Sequence, residues 1–487
     1  MIAWRAFALD SRSLAVFRMA IGAVLCADAL LRTRDIALML SPDGMFPLDA
    51  LARFEPGPGI WSVATLVDAR WWGAAMLAVE GAAGLILALG NATKWATVVA
   101  WIVVVSVVRR TVPATNAGDY WLTTLLLWSM FLPLGASWSM DARRAIGRGV
   151  GSRPIVVVSA GSVALVLQIA AVYLAAGLAK CNESWWSGDA VAHALSVHDH
   201  GTRLGEAVAA LPWLARGLTW GTLCLELFGP IVLVAVPLPA VRLAIVVLFI
   251  AFHMAVCGTM SVGIFGYVGM AAWLALIPPQ AWEWAGLPAA EPMPASAAGC
   301  GRWRSRACAA CGAVAAAAFL HDVTPWRSLR FPLPAEVAVN VLCLHQQWGM
   351  FGSVSRQYQW VYSRAELVDG RVVDVLRRGR PVEEETPTGG FLSLPHHRWH
   401  KLFWELPRPT HKVLAPSVAA GLVRHWNESH GPDSQIVALE IRVGRLGKTS
   451  ADDTLRDVIV AAWPPRDASG AGNLDRWLRE AGRDELH

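Results

Sequence analysis

From residue 13 to about residue 279 the chain is almost unbroken apolar helix former, Gly and Trp, and from His321 onward it reads like an ordinary soluble protein. A helix that crosses a bilayer core needs about 20 mostly apolar residues. Runs of that kind lie near 13–31, 71–90, 93–112, 119–135, 154–178, 217–236, 242–258 and 262–278, with a shorter Ala-rich run at 307–320. Helix exits are marked by Pro and Gly, as at Leu132-Pro133-Leu134-Gly135 and Ile277-Pro278-Pro279. The pattern predicts an all-α polytopic membrane bundle of eight or nine transmembrane helices over residues 1–320. A small β-rich (α+β) domain follows over 321–487.

Two connections are too long to be plain turns. Residues 32–70 hold Ser41-Pro42-Asp43-Gly44, a turn signal, and residues 180–216 open on Trp185-Trp186 with a helical stretch near 189–195. Paired Trp suits the boundary between acyl chains and headgroups, so both loops are expected at the outer face. In the tail, 359–362 and 372–376 flank Asp369-Gly370, a hairpin signal. Residues 417–430 read as helix, and 436–443 and 454–463 as strands.

Composition sharpens the membrane reading. Charged residues make up 16% of the chain and hydrophobic ones 55%, against about 25% charged in a typical soluble domain. The net charge of +5 comes mostly from Arg, with no basic block interleaved with aromatics, so nucleic acid is not an expected partner. With the N-terminus inside, the inner loops carry eleven Lys and Arg and the outer loops nine. That excess is small and favours a cytoplasmic N-terminus. Nine crossings would then put the C-terminal domain in an extracytoplasmic space of the cell membrane. The first apolar run contains Arg18 and Asp28 and ends in no small-residue cleavage site, so it reads as a helix and not as a signal peptide. Cys26, Cys224 and Cys257 sit in apolar runs as small hydrophobes. Cys300, Cys308 and Cys311 contain one CxxC spacing without a second pair, and no metal is predicted.

Ionisable groups at membrane depth are the first candidates for chemistry, because each costs at least about 2.5–3.5 kcal/mol at the bilayer centre. They are Arg18, Asp28, Glu80, Asp119, Lys180, Glu226 and His253. Pairing that merely holds helices together, such as Arg18 with Glu80 or Asp28, is the structural alternative for each. Lys180 closes an apolar helix and precedes Trp185 and Trp186. It either snorkels to the headgroups or is desolvated, and then its neutral amine becomes a usable base. His253 is read by itself as a hydrogen-bonded core residue. His396, His397 and His400, just after Pro395, read as a solvated turn.

Several segments resemble a known family. Tyr173-Leu174-Ala175-Ala176-Gly177-Leu178-Ala179-Lys180, followed by Trp185-Trp186-Ser187-Gly188, resembles the segment around the catalytic lysine of vitamin K-dependent gamma-carboxylase. Ala251-Phe252-His253-Met254 and Gly263-Ile264-Phe265-Gly266-Tyr267 are similar to its later helices. Phe17-Arg18-Met19-Ala20-Ile21-Gly22, Asp28 and Ser41-Pro42-Asp43-Gly44 resemble the start of its bacterial relatives, the horizontally transferred transmembrane (HTTM) proteins. Gln347-Trp348-Gly349-Met350-Phe351 resembles the opening of their extracytoplasmic tail. The resemblance implies a lyase and oxygenase. In it a neutral lysine deprotonates a reduced naphthoquinone (vitamin K or menaquinone type), and oxygen converts the quinone into a base strong enough to take a glutamate γ-proton before carbon dioxide adds. Lys180 matches the lysine and His253 a family histidine, with Asp119, Glu226, Trp185 and Trp186 as pocket candidates. Arg18, Asp28 and Glu80 are expected to be structural. The family's second histidine has no counterpart near Asp119, and the tail beyond about residue 377 matches nothing. The competing expectation is a non-enzymatic membrane factor that binds lipid or peptide for maturation or export. A transporter ranks last, since no repeat is visible.

Overall fold

A computed structural model describes residues 3–54, 57–149, 154–195, 200–292, 302–324, 331–354, 357–385, 390–447 and 456–465. Nine helices over the first two-thirds of the chain carry the bundle. They are α1 (Ser11–Arg32), α2 (Arg70–Leu89), α3 (Thr93–Arg110), α4 (Ala117–Ser129), α5 (Ala160–Ala179), α6 (Pro212–Ala235), α7 (Pro239–Thr259), α8 (Phe265–Leu274) and α9 (Arg302–Val323). Six of them, α1, α2, α5, α6, α7 and α9, are long and apolar enough to cross a membrane, the first continuing through a tight 3-10 turn and a wider π-helical turn to Leu40. The Ala-rich run at 307–320 therefore lies within a helix long and apolar enough to cross. The other three expected crossings form helices of a different kind. α3 carries Lys94, Arg109 and Arg110 within 18 residues, while α4 and α8 have 13 and 10 residues.

Lipid offers no hydrophobic force between helices, so close packing depends on small residues. α1 and α2 meet at Gly22 and Gly84, where a Cβ on Gly22 would stand 2.5 Å from the Gly84 carbonyl oxygen. At the end of the bundle where α1 begins, three short strands, β1 (Leu9–Asp10), β2 (Ile155–Val157) and β3 (Glu291–Pro292), form one small sheet. The sheet ties the starts of α1 and α5 to the chain after α8.

The tail starts with α10 (Leu333–Leu342) and then builds a five-stranded antiparallel sheet. Its strands β4 (Gln357–Leu367), β5 (Val372–Asp374), β6 (Arg380–Pro381), β7 (Ile436–Gly447) and β8 (Arg456–Trp463) lie in the order β6-β5-β4-β7-β8. The hairpin expected at Asp369-Gly370 joins β4 to β5, with Ala365 opposite Val373. Residues 454 and 455 of the last expected strand, and Cys300, lie outside the described residues. Helices α11 (His397–Glu405) and α12 (Ala415–Ser429) also belong to the described part of the tail.

The tail does not hang free. Its apolar core, with Leu402, Phe403, Val418 and Leu439, also contains Leu38, Met39, Met45, Phe46 and Ala50 from the long loop after α1. Gly421 of α12 lies so near Gly44 that a Cβ there would be 2.6 Å from that backbone. In the other direction Leu344 and Trp348 of the tail lie in the core of the bundle.

Candidate functional site

Lys180 stands at the C-terminal end of α5, where the unpaired carbonyls of the last turn favour a cation. It does not snorkel. Its side chain is 3% exposed and its Nζ lies 2.8 Å from Glu226 Oε2 on α6, itself buried. The same Nζ donates to the Met350 carbonyl at 2.7 Å and to the Ala176 carbonyl at 3.4 Å. Nζ thus sits among two carbonyl acceptors and one carboxylate, which meets it at ion-pair distance. The Trp185 ring lies 5.2 Å from Nζ, a cation–π distance, and its indole N–H donates to the Phe351 carbonyl. Trp186 is 56% exposed and turns away.

Local sequence explains why α5 and α6 come so close here. A Cβ at Gly177 would touch the Glu226 backbone at 3.0 Å. Pro230, inside α6, has no N–H to give to the carbonyl of Glu226 four residues earlier. The segment 348–352 then straps across this corner. The carbonyls of Met350, Phe351 and Gly352 accept in turn from Lys180, Trp185 and Asn182.

His253 is fully buried on α7 and is not in contact with Lys180. Its Nε2 lies 2.5 Å from the Tyr173 hydroxyl, which accepts a hydrogen bond from Trp273 Nε1 at 2.7 Å. The imidazole is walled by Trp121, Tyr173, Phe252 and Phe265, and a Cβ on Gly269 would collide with it at 2.4 Å. Its Nδ1 is buried without a hydrogen-bond partner. Tyr173 and Lys180 are seven residues apart, hence on the same face of α5 and about 10 Å apart along its axis. One helix face thus carries the ion pair at its end and the aromatic nest two turns deeper.

Asp119 belongs to a second, separate cluster. Arg32 donates to Asp28 and to Asp119, both at 2.8 Å, and Arg398 of α11 donates to Asp119 at 2.8 Å and to Asp28 at 2.7 Å. Two buried carboxylates and two buried guanidinium groups thus cancel. The expected pairing of Arg18 with Glu80 or Asp28 does not form. Arg18 donates instead to the Trp138 carbonyl, and both Glu80 oxygens are buried without a partner. The solvated turn expected at His396–His400 is also corrected, because Arg398 draws this segment down onto the bundle as the start of α11. His396 caps that helix and pairs with Asp35, and His397 bonds Asn116 at 2.7 Å. Burial, and then the neighbouring Arg398, push the His397 ring down to about 3.

Sequence reasoning assigned no role to Arg32, Arg398, Tyr173, Trp273 or the Met350 carbonyl. Of these, Tyr173 carried a usable signal in its seven-residue spacing from Lys180, and Arg32 in its four-residue spacing from Asp28. Cys308 is buried in the bundle core, and no group of three or more metal-ligating side chains occurs among the described residues.

Residues 7–282, more than half of the chain, match the HTTM domain family. The chain belongs to that family. No curated protein and no solved structure matches it. The matched region spans α1 to α8 and so contains Lys180, Glu226, Tyr173, His253 and Trp273, whereas Met350 and Arg398 lie beyond it. With six helices fit to cross a bilayer, this HTTM chain is a membrane protein.

Proposed function

We propose that this HTTM protein is a quinone-dependent membrane enzyme of the gamma-carboxylase type, with Lys180 as its base and His253 orienting a reacting oxygen. The observation that carries the reading is the burial of Lys180 against Glu226 at 2.8 Å, facing inward. A lysine needed only for topology gains nothing from that position, since its stem reaches the headgroups without desolvation. In a buried pair the proton has two homes, the amine and the carboxylate, and the pair keeps zero net charge in either arrangement. Glu226 is therefore the group that takes the Lys180 proton and releases the amine lone pair.

The residues fit a flat apolar ring with a polar oxygen. His253 Nδ1 is a buried, unpartnered nitrogen inside an aromatic wall that includes Trp121. When bound, a reduced naphthoquinone supplies the oxygen chemistry that no side chain can perform. The protein's part is to accept the first proton at Lys180 Nζ, hold the reacting oxygen at His253 and keep water out.

We read the chain as crossing nine times, with α3, α4 and α8 as shorter crossings inside the bundle and the tail outside. Two observations support this. Ser13, near the start of α1, bonds the Ile277 carbonyl after α8, whereas Arg398 meets Asp28 and Asp119 at the opposite end. If buried Arg12, Arg32, Arg110, Lys180 and Arg242 are set aside, nine inner cations face six outer ones.

Epoxide formation from a reduced naphthoquinone and oxygen by purified protein tests the enzyme reading. Wild type should form epoxide, and Lys180→Ala and Lys180→Arg should not, since guanidinium is no base near neutral pH. Well-folded wild type without epoxide across vitamin K and menaquinone analogues would overturn it. A second reading is favoured by the Lys180–Met350 bond, which also ties tail to bundle. In that reading the chain is a non-enzymatic factor that binds lipid or peptide, and Lys180→Arg keeps full function.

A further inference from the structure

We infer that Tyr173 and Trp273 fix the tautomer of His253 so that its Nδ1–H is a standing hydrogen-bond donor for an acceptor oxygen on an apolar ring ligand. Indole Nε1 is only ever a donor, so the Tyr173 oxygen must accept from Trp273 at 2.7 Å. The Tyr173 proton is then free to point at His253 Nε2, 2.5 Å away. That makes Nε2 the acceptor and puts the ring proton on Nδ1.

The opposite tautomer leaves more groups unmet. If Nε2 carried the proton and gave it to Tyr173, the phenol oxygen would accept twice and its own O–H would have nowhere to go. Nδ1 would be an unused acceptor as well. The first arrangement leaves one buried group unmet, the Nδ1–H, and the second leaves two, so the first wins. A doubly protonated ring would add a full charge within walls of Trp121, Phe252 and Phe265, a cost that neither contact offsets.

The one remaining unmet group is the informative part. Buried polar groups are nearly always satisfied, and an exception calls for an absent partner. Around His253 the neighbours are aromatic, which selects a flat apolar molecule with an acceptor oxygen, such as a quinone or its reduced form. Tyr173 lies on the α5 face that ends at Lys180, so such a ligand would lie along that face. Tyr173 and Trp273 are positioning residues here, acting on the ligand through His253. Only the quinone identity of the ligand rests on the proposed function. The tautomer stands without it.

The test is nitrogen-15 NMR of the full-length protein in nanodiscs with labelled histidine, the His253 signals assigned by their loss in His253→Gln. Nδ1 is expected to be pyrrole-type and Nε2 pyridine-type. Addition of the naphthoquinone menadione should move the Nδ1 signal, also in Lys180→Ala, which has no base. In Tyr173→Phe the two tautomers should mix, and menadione affinity should fall about tenfold, the loss of one oriented bond. A proton on Nε2 in wild type overturns the tautomer. An Nδ1 signal that ignores menadione but exchanges with solvent means that a buried water is the partner, and overturns the ligand site. Loss of epoxide chemistry with these signals intact would sink the enzyme reading alone.

Discussion

Removing the Arg398 guanidinium should unlatch the tail from the bundle. In the native cluster Asp28 and Asp119 face Arg32 and Arg398, with charge contacts of 2.7–2.8 Å and all four side chains 5% exposed or less. Arg398→Met leaves two carboxylates against one guanidinium, a buried net charge of −1. Breaking one member out of a buried ion group typically costs about 3–5 kcal/mol. Arg398 is the tail's member of the group, so this energy is lost from docking of α11 specifically. The docking equilibrium should then weaken between about a hundredfold and several thousandfold. Hydrogen exchange of the 397–405 amides, followed by mass spectrometry in nanodiscs, reads the opening directly, since protection falls by the same factor. The double variant Asp119→Asn with Arg398→Met restores neutrality and should regain at least half of the lost protection. Exchange within tenfold of wild type in Arg398→Met, or no recovery in the double variant, would refute the latch.

Glu226→Gln leaves the Lys180 ammonium buried with two carbonyls and no counter-charge. It should cost about 2–4 kcal/mol in detergent unfolding, and Lys180→Met added to it should return most of that stability but no activity. Because His397 is held neutral at about 3 in the folded chain and titrates near 6.5 when unfolded, the unfolded state binds more protons between those limits. Stability contributed by His397 is thus full above about 6.5 and falls as the pH drops towards 3. From pH 7 to pH 5 the loss is at most about 2 kcal/mol, seen as a lower unfolding midpoint that His397→Gln makes less pH-dependent. Arg398, Asp119, Asp28 and His396 surround that ring, and the two carboxylates oppose part of the shift. Gly421→Ala puts a methyl 2.6 Å from the Gly44 backbone and should cost about 1–3 kcal/mol, measured as a lower midpoint for the tail.

What the sequence disclosed and what it hid follow from the range of the interactions. Apolar run length is local, so α1, α2, α5, α6 and α7 were legible within a few residues, and so was the Asp369-Gly370 hairpin. Lengths of α4 and α8 were overread because apolar residues continue through Phe131, Leu132, Ile277 and their neighbours, where Pro133 and Pro278 already bend the chain out of helix. The charged clusters were hidden for a different reason. Asp28 and Asp119 are neutralised by Arg32 and Arg398; Arg32 stands four residues from Asp28, but Arg398 is 370 positions away, and no local pattern predicts that partner. Read locally, Pro395 followed by three histidines and an arginine is polar and turn-like. Only the two carboxylates waiting on the bundle make it a helix start. Lys180 was visible as a candidate, but its inward direction was not, because that is set by Glu226 and by the Met350 carbonyl.

Under the proposed function, that last contact sets how Lys180 would work as a base. Lys180 Nζ already has Glu226, the Met350 carbonyl and the Ala176 carbonyl around it, so a fourth group cannot approach without displacing one. Ala176 is fixed in the helix that carries Lys180, and Glu226 is the group able to take the proton. The exchangeable acceptor is therefore Met350, in a strap that the tail supplies. On the proposed function an incoming acidic O–H would replace the Met350 carbonyl, and once one ammonium proton has passed to Glu226 the amine would turn about its Cε–Nζ bond to present its lone pair there. The strap also bonds Trp185 and Asn182, so its withdrawal would free the indole N–H and the amide together. On that proposed reading the tail would be part of the reacting corner: it would fill the place of the substrate at rest, and the Arg398 latch would set how tightly it stays there.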